Sequence, residues 1–238
     1  MDKRFLDYFE ESLKKNWSAP ALNDFDGTMS FTYGEMAEKI ARLHVLFAQV
    51  GLQKGDKIAL CGRNSSMWAI DFLAVTSYGC VAVAILSDFD SEGIQTLVDH
   101  SDAKLLLVGP IVWENLKPES MPKLNGIISI EGLDLLRSNT PDFEKGYNAW
   151  EKAFVAKYPK GYTQDDVKYE RFDSESPVLI NYTSGSTGSP KGVMLSWRSI
   201  DSNIHFSQQK IPNSSEDTLL SMLPMAHMYG MAFELLFE

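Results

Sequence analysis

Cysteine is scarce: only two occur among 238 residues, Cys61 and Cys80, each inside an apolar run. Two isolated thiols in that setting supply neither a disulfide framework nor a metal-binding pattern, and they read as reduced core residues of a cytoplasmic protein. Positive charge is short as well, with 22 Lys and Arg against 32 Asp and Glu and a formal net charge of −10. A nucleic-acid surface needs clustered cations to hold phosphates, so this balance excludes nucleic acid as a partner while leaving room for a local basic pocket. No apolar run is long enough to span a membrane. The opening residues mix charge with apolar side chains at helical spacing and lack a small-residue cleavage site, which excludes a secretory leader. Peripheral membrane contact and oligomeric state stay open. Internal repeats and low-complexity tracts are lacking too.

What is present is a chain that is 44% apolar, enough to bury a sizeable core, in which helical and strand patterns alternate. Phe5, Phe9 and Leu13 share one helical face within residues 3–15. Thr32-Tyr33-Gly34-Glu35 has the spacing of a capping box, and Met36, Ile40, Leu43 and Phe47 continue a helix toward Gly51. Strands are predicted at 57–61, 81–86, 105–108 and 127–130, with helices starting near Ser65 and spanning 91–100. Residues 132–176 are less regular, with one helix expected around Trp150 to Tyr158 and a polar connection from Pro159 to Ser176. A strand at 178–182, a Ser/Thr/Gly loop, a strand-like run at 193–195, a helix over 196–209 and a strand from Thr218 to Leu223 complete the pattern. The outline is an α/β fold of layered sheets flanked by helices, doubly wound. It divides into an N-terminal α/β subdomain (1–176) and the start of a second, incomplete subdomain (177–238). Residues 231–238 read as a helix without a stop signal, and the expectation is a truncated chain.

The chemistry concentrates in Thr183-Ser184-Gly185-Ser186-Thr187-Gly188-Ser189-Pro190-Lys191-Gly192, directly after a buried strand. Glycines let backbone approach a ligand, consecutive N–H groups form an anion-binding nest, and the hydroxyls add neutral donors. Lys191 adds the one fixed charge, which about 4 Å from a phosphate oxygen contributes roughly 4 kcal/mol at an effective dielectric of 20 before desolvation. A plain Ser/Gly linker is the bland alternative. A nucleoside-triphosphatase phosphate loop is disfavoured, because Pro190 stands where that motif needs Gly and Gly192 where it needs Ser or Thr. The following Val193-Met194-Leu195 is strand-like, so the loop reads as the bend of a hairpin.

In its exact order, Tyr182 to Gly192 resembles the phosphate-loop signature of the acyl-adenylate-forming superfamily, the AMP-dependent synthetases and ligases. Phe31-Thr32-Tyr33-Gly34-Glu35-Met36 and Gly51 to Leu60 are similar to two earlier segments of that family, and Tyr78 to Val83 more loosely to a third. Leu223-Pro224-Met225-Ala226-His227-Met228-Tyr229-Gly230 resembles the motif lining its acyl pocket, most closely in the fatty acid–CoA ligase branch. The resemblance implies that a carboxylate attacks ATP to give acyl-AMP, and that coenzyme A then takes the acyl group. It assigns nucleotide binding to Thr183, Ser184, Gly185, Ser186, Thr187, Gly188 and Lys191, and makes His227 the candidate catalytic residue of the pocket. Mg²⁺ is expected beside the hydroxyl of Thr183 or Thr187, the fatty-acid members favouring Thr183. Met222, Met225, Met228 and Met231 offer flexible apolar surface for an alkyl chain, or are ordinary core.

Family members run far longer, and their ribose-holding Asp, Mg²⁺-completing Glu and adenylating Lys have no counterpart here. The fragment alone is therefore expected to be inactive. An acyl-AMP ligase loading a carrier protein and a non-catalytic nucleotide-binding module remain as alternatives.

Overall fold

Capping side chains set most helix starts in the structure, a computed structural model that describes residues 3–183, 190–212, 214 and 217–236. Helix α1 (Phe5–Lys15) leads into a small antiparallel hairpin of β1 (Pro20–Asn23) and β2 (Ser30–Thr32). Helix α2 (Tyr33–Gln49) begins with the expected reciprocal box: the Glu35 amide donates to the Thr32 hydroxyl at 3.2 Å and the Thr32 amide to the Glu35 carboxylate at 2.8 Å. Strand β3 (Lys57–Cys61), helix α3 (Ser66–Tyr78), strand β4 (Val81–Ile85) and helix α4 (Ser91–Ser101) follow. Strand β5 (Leu105–Val108), the short helix α5 (Pro110–Trp113) and strand β6 (Gly126–Ser129) complete the alternation. Every residue of α3 except Tyr78 is buried, as a helix apolar on all sides must be.

Three expectations change. A strand, β7 (Leu135–Ser138), lies in the region read as irregular, and pairs antiparallel with β6. The helix placed around 150–158 is α6 (Pro141–Lys157), which Thr140 caps and Pro141 opens. Gly146 in its middle obscured the pattern, yet it is needed. A Cβ there would fall 2.1 Å from the Gln49 carbonyl oxygen at the end of α2. After β8 (Pro177–Thr183), β9 (Lys191–Ser196) and α7 (Trp197–Lys210), the strand expected over 218–223 does not form. Among the described residues, 218–223 have no neighbouring strand to pair with, and Leu219, Leu220 and Met222 are exposed. Helix α8 (Met228–Gly230) runs into a π-helical turn, Met231–Leu235.

Seven strands form one mixed sheet in the order β7-β6-β5-β3-β4-β8-β9, parallel from β6 through β8 with an antiparallel strand at each edge. Alternation sends Ile58, Leu60, Leu105, Leu107 and Leu179 to the face covered by α1, α2, α3, α6 and α7. Ala59, Cys61, Leu106, Val108 and Ile180 go to the face covered by α4 and α5. Helices on both faces make this the doubly wound α/β arrangement expected. Cys61 and Cys80 are buried and unlinked, their thiols each pushed up to about 12 by burial. Among the described residues no helix is long and apolar enough to cross a membrane.

Asp71, on α3, is fully buried, and neither carboxyl oxygen has a hydrogen-bond partner among the described residues. Burial raises this carboxyl well above its ordinary 3.8, so it is held protonated. An acid with a raised folded-state pKa favours the native state fully only below the unfolded value, and that contribution is lost as pH rises toward the folded one. Relative to Asp71→Asn, wild-type stability in urea titrations therefore falls as pH rises above the ordinary aspartate value, by up to about 1.4 kcal/mol per unit. Parallel pH profiles would contradict this. Gly146→Ala lowers stability by about 1–3 kcal/mol, overpacking against Gln49 outweighing the better helix propensity of Ala. An unchanged urea midpoint would show that α2 and α6 can part without cost.

Candidate active site

Strand β8 ends at the carboxyl edge of the parallel strands, where ligands of open α/β sheets bind. Thr183 and Lys191, the two ends of the candidate loop, are directly opposed across the β8–β9 ladder, so the loop is the bend of a hairpin. Ser184, Gly185, Ser186, Thr187 and Gly188 lie outside the described residues. Lys191 is exposed and has no ion pair among the described residues, which leaves its ammonium free for an anion.

The structure brings the His227 segment to the same strand. Asn181, buried two residues before Thr183 and on the same side of β8, donates from Nδ2 to the Ala226 carbonyl at 2.7 Å. From the loop after β3, Asn64 donates to the Leu223 carbonyl at 2.7 Å and accepts from the Met225 amide at 2.8 Å. The Glu234 carboxylate accepts from the Ser221 hydroxyl at 2.9 Å and from the Met222 and Leu223 amides at 3.1 Å each. Three polar side chains thus clamp residues 221–226. His227 itself is exposed and opens α8, its Nδ1 accepting from the Tyr229 amide at 3.3 Å.

Sequence reasoning missed Asn64, Asn181 and Glu234. A lone Asn in the apolar run Val178 to Tyr182 was the one signal on offer, because a polar side chain inside a buried strand needs a partner. Of the four methionines, Met225 and Met231 are core, Met228 is half-buried and Met222 is 77% exposed, so the alkyl-surface reading survives for Met222 and Met228 alone.

A concavity of about 380 Å³ lies between the loops after β3 and β5, lined in part by Arg63, Gly109, Glu131 and the exposed Phe25. Among the described residues neither Thr183, Lys191 nor His227 borders it, while Asn64, which holds Leu223 and Met225, does. Among the described residues no three His, Cys, Asp or Glu side chains gather as a metal cage.

This mixed sheet flanked by helices matches the fold of the N-terminal part of known acyl-CoA ligases. It superposes over 100% of this chain on 45% of a long-chain-fatty-acid-CoA ligase from Archaeoglobus fulgidus, with a TM-score of 0.77 at 20% identity. Over residues 9–237 the chain matches the AMP-binding enzyme family, and it belongs to that family. It is 28% identical to the probable acyl-activating enzyme 16 of Arabidopsis thaliana over 98% of this chain and 34% of that protein. With fatty acyl-CoA synthetase A of Dictyostelium discoideum it shares 31% identity over 77% of this chain and 27% of that protein. The chain thus spans about a third of these relatives' length.

Asn181→Ala leaves the Ala226 carbonyl without its buried donor, and about 1–3 kcal/mol of local stability goes with it. Hydrogen exchange at the His227 and Met231 amides should quicken while the β3 and β5 amides keep their protection. Unchanged exchange at His227 would mean that Asn64 and Glu234 suffice.

Proposed function

We propose that the full-length protein containing this chain is an acid–thiol ligase. It activates a carboxylic acid, a fatty acid, as its acyl-AMP and passes the acyl group to coenzyme A. The observation that carries this reading is the pairing of Lys191 with Thr183 at the carboxyl edge of β8, with Lys191 exposed and in no ion pair among the described residues. The family membership and the name of the Dictyostelium relative support the ligase and fatty-acid parts of the reading.

A carboxylate must approach a polyphosphate of the same sign, so the site has to neutralise charge and position both reactants. Lys191 pairs with the β- and γ-phosphate oxygens, and the loop N–H groups of Ser184, Gly185, Ser186, Thr187 and Gly188 complete the cradle. A carboxylate oxygen then attacks the α-phosphorus and the bond to the bridging oxygen breaks, releasing pyrophosphate. In the second step the thiol attacks the acyl carbon and AMP leaves.

The donor set fits Mg²⁺. The Thr183 hydroxyl is an oxygen donor of the kind that suits Mg²⁺, an ion held mostly by nucleotide oxygens and water. When bound, Mg²⁺ supplies further neutralisation of the phosphates. His227, beside the clamped segment, borders the acyl group, with Met222 and Met228 offering the alkyl chain adaptable surface.

Full-length protein should release pyrophosphate from ATP only when a fatty acid is present, and Lys191→Ala should lower that rate by about 10²-fold or more. The 238-residue chain alone should release none. Acid-independent release, or full activity of Lys191→Ala, would remove the proposal.

A further inference from the structure

Tyr182 stands one residue ahead of Thr183 but points to the opposite side of the sheet, toward α4. Its hydroxyl lies 2.9 Å from Nδ1 of His100 and 3.3 Å from the Leu97 carbonyl oxygen, both in the last turns of α4. The two rings meet near edge-on, with centroids 5.7 Å apart and planes at 70°. Nearer the backbone, the phenol ring lies over Gly192, its ladder partner on β9. A Cβ at Gly192 would come within 3.3 Å of a ring carbon, so the absent side chain makes room for the ring. One side chain therefore touches both arms of the hairpin and the helix behind it.

The contact is built to last. The hydroxyl has one proton, with His100 Nδ1, the Leu97 carbonyl and the Ser101 side chain all about it. With neutral His100 it donates to Nδ1; with the imidazolium, Nδ1–H donates to the hydroxyl oxygen, which then donates to Leu97. Burial raises the phenol above its ordinary value, so the proton stays on the oxygen.

We infer that the His100–Tyr182 contact is a positioning brace for the phosphate site, fixing the β8–β9 hairpin against α4 so that Thr183 and Lys191 meet the polyphosphate at a set height. The inference rests on the reading of residues 183–192 as the ATP site. Neither residue touches the nucleotide; both act through the strand. The brace is also separate from the clamps on residues 221–226, because α4 lies across the sheet from Asn181.

The test is steady-state kinetics on the full-length protein. Tyr182→Phe keeps the ring over Gly192 and removes one oxygen, so it is expected to fold, and His100→Ala removes the other partner. Each should raise KM for ATP roughly 3- to 10-fold, the worth of one hydrogen bond, while KM for the acid stays as it was. The double variant should be no worse than the poorer single one. His100→Gln, which can still donate to or accept from the hydroxyl, should restore much of the loss, as a purely structural role would not require. Unchanged KM for ATP in both single variants, or multiplying effects in the double, would overturn the brace. Full activity of Lys191→Ala in the same assay would instead remove the ATP-site reading, and the brace with it.

Discussion

The parallel pairing of β8 with β4 is the constraint on which the site depends. It joins Ala82, Val83 and Ala84 to Leu179, Ile180 and Asn181, residues almost a hundred positions apart, and so brings the loop-bearing hairpin to the sheet's carboxyl edge. Strand β4 is buried throughout and carries only Val, Ala and Ile, the composition of a strand with neighbours on both sides. Without β8 it would be an apolar edge, which soluble proteins avoid. Closing so long a loop costs only slowly more with length, and the buried ladder offsets it.

From that pairing the two faces of β8 take different tasks. Asn181 holds the 221–226 segment on one side through Ala226, while Tyr182 reaches α4 on the other through His100. Alternation at the end of a single strand thus couples the β8–β9 hairpin to the 221–226 segment and to helix α4 at once. Lys191, exposed at the end of the β8–β9 ladder, is separate from the clamp on residues 221–226, which is neutral amide and backbone apart from the Glu234 carboxylate.

Most of this fold was legible locally. The capping box at Thr32 and Glu35, the buried runs of β3, β4 and β5, and the hairpin around the Ser/Gly loop each rest on neighbours in sequence. What escaped was non-local. β7 is short and half-buried, and takes its identity from β6. Leu219 to Leu223 has strand-like composition, but its Met222 and Leu223 amides go to Glu234 instead of a ladder. The Asn64–Met225 contact bridges 161 positions, and no periodicity reports such a bond. The loop and Lys191 could be singled out because phosphate chemistry demands those residue types together. The supports around them use ordinary Asn, Tyr and His, which local pattern does not distinguish from surface residues.

The most direct test of the account is a crystal structure of the full-length protein with Mg²⁺ and ATP. The account predicts the β- and γ-phosphates against the Lys191 ammonium and the 183–192 loop, with Asn181 still bonded to Ala226. A polyphosphate seated instead in the concavity beside Arg63 and Gly109 would contradict it, and would move the nucleotide site from the β8–β9 hairpin to the crevice between β3 and β5.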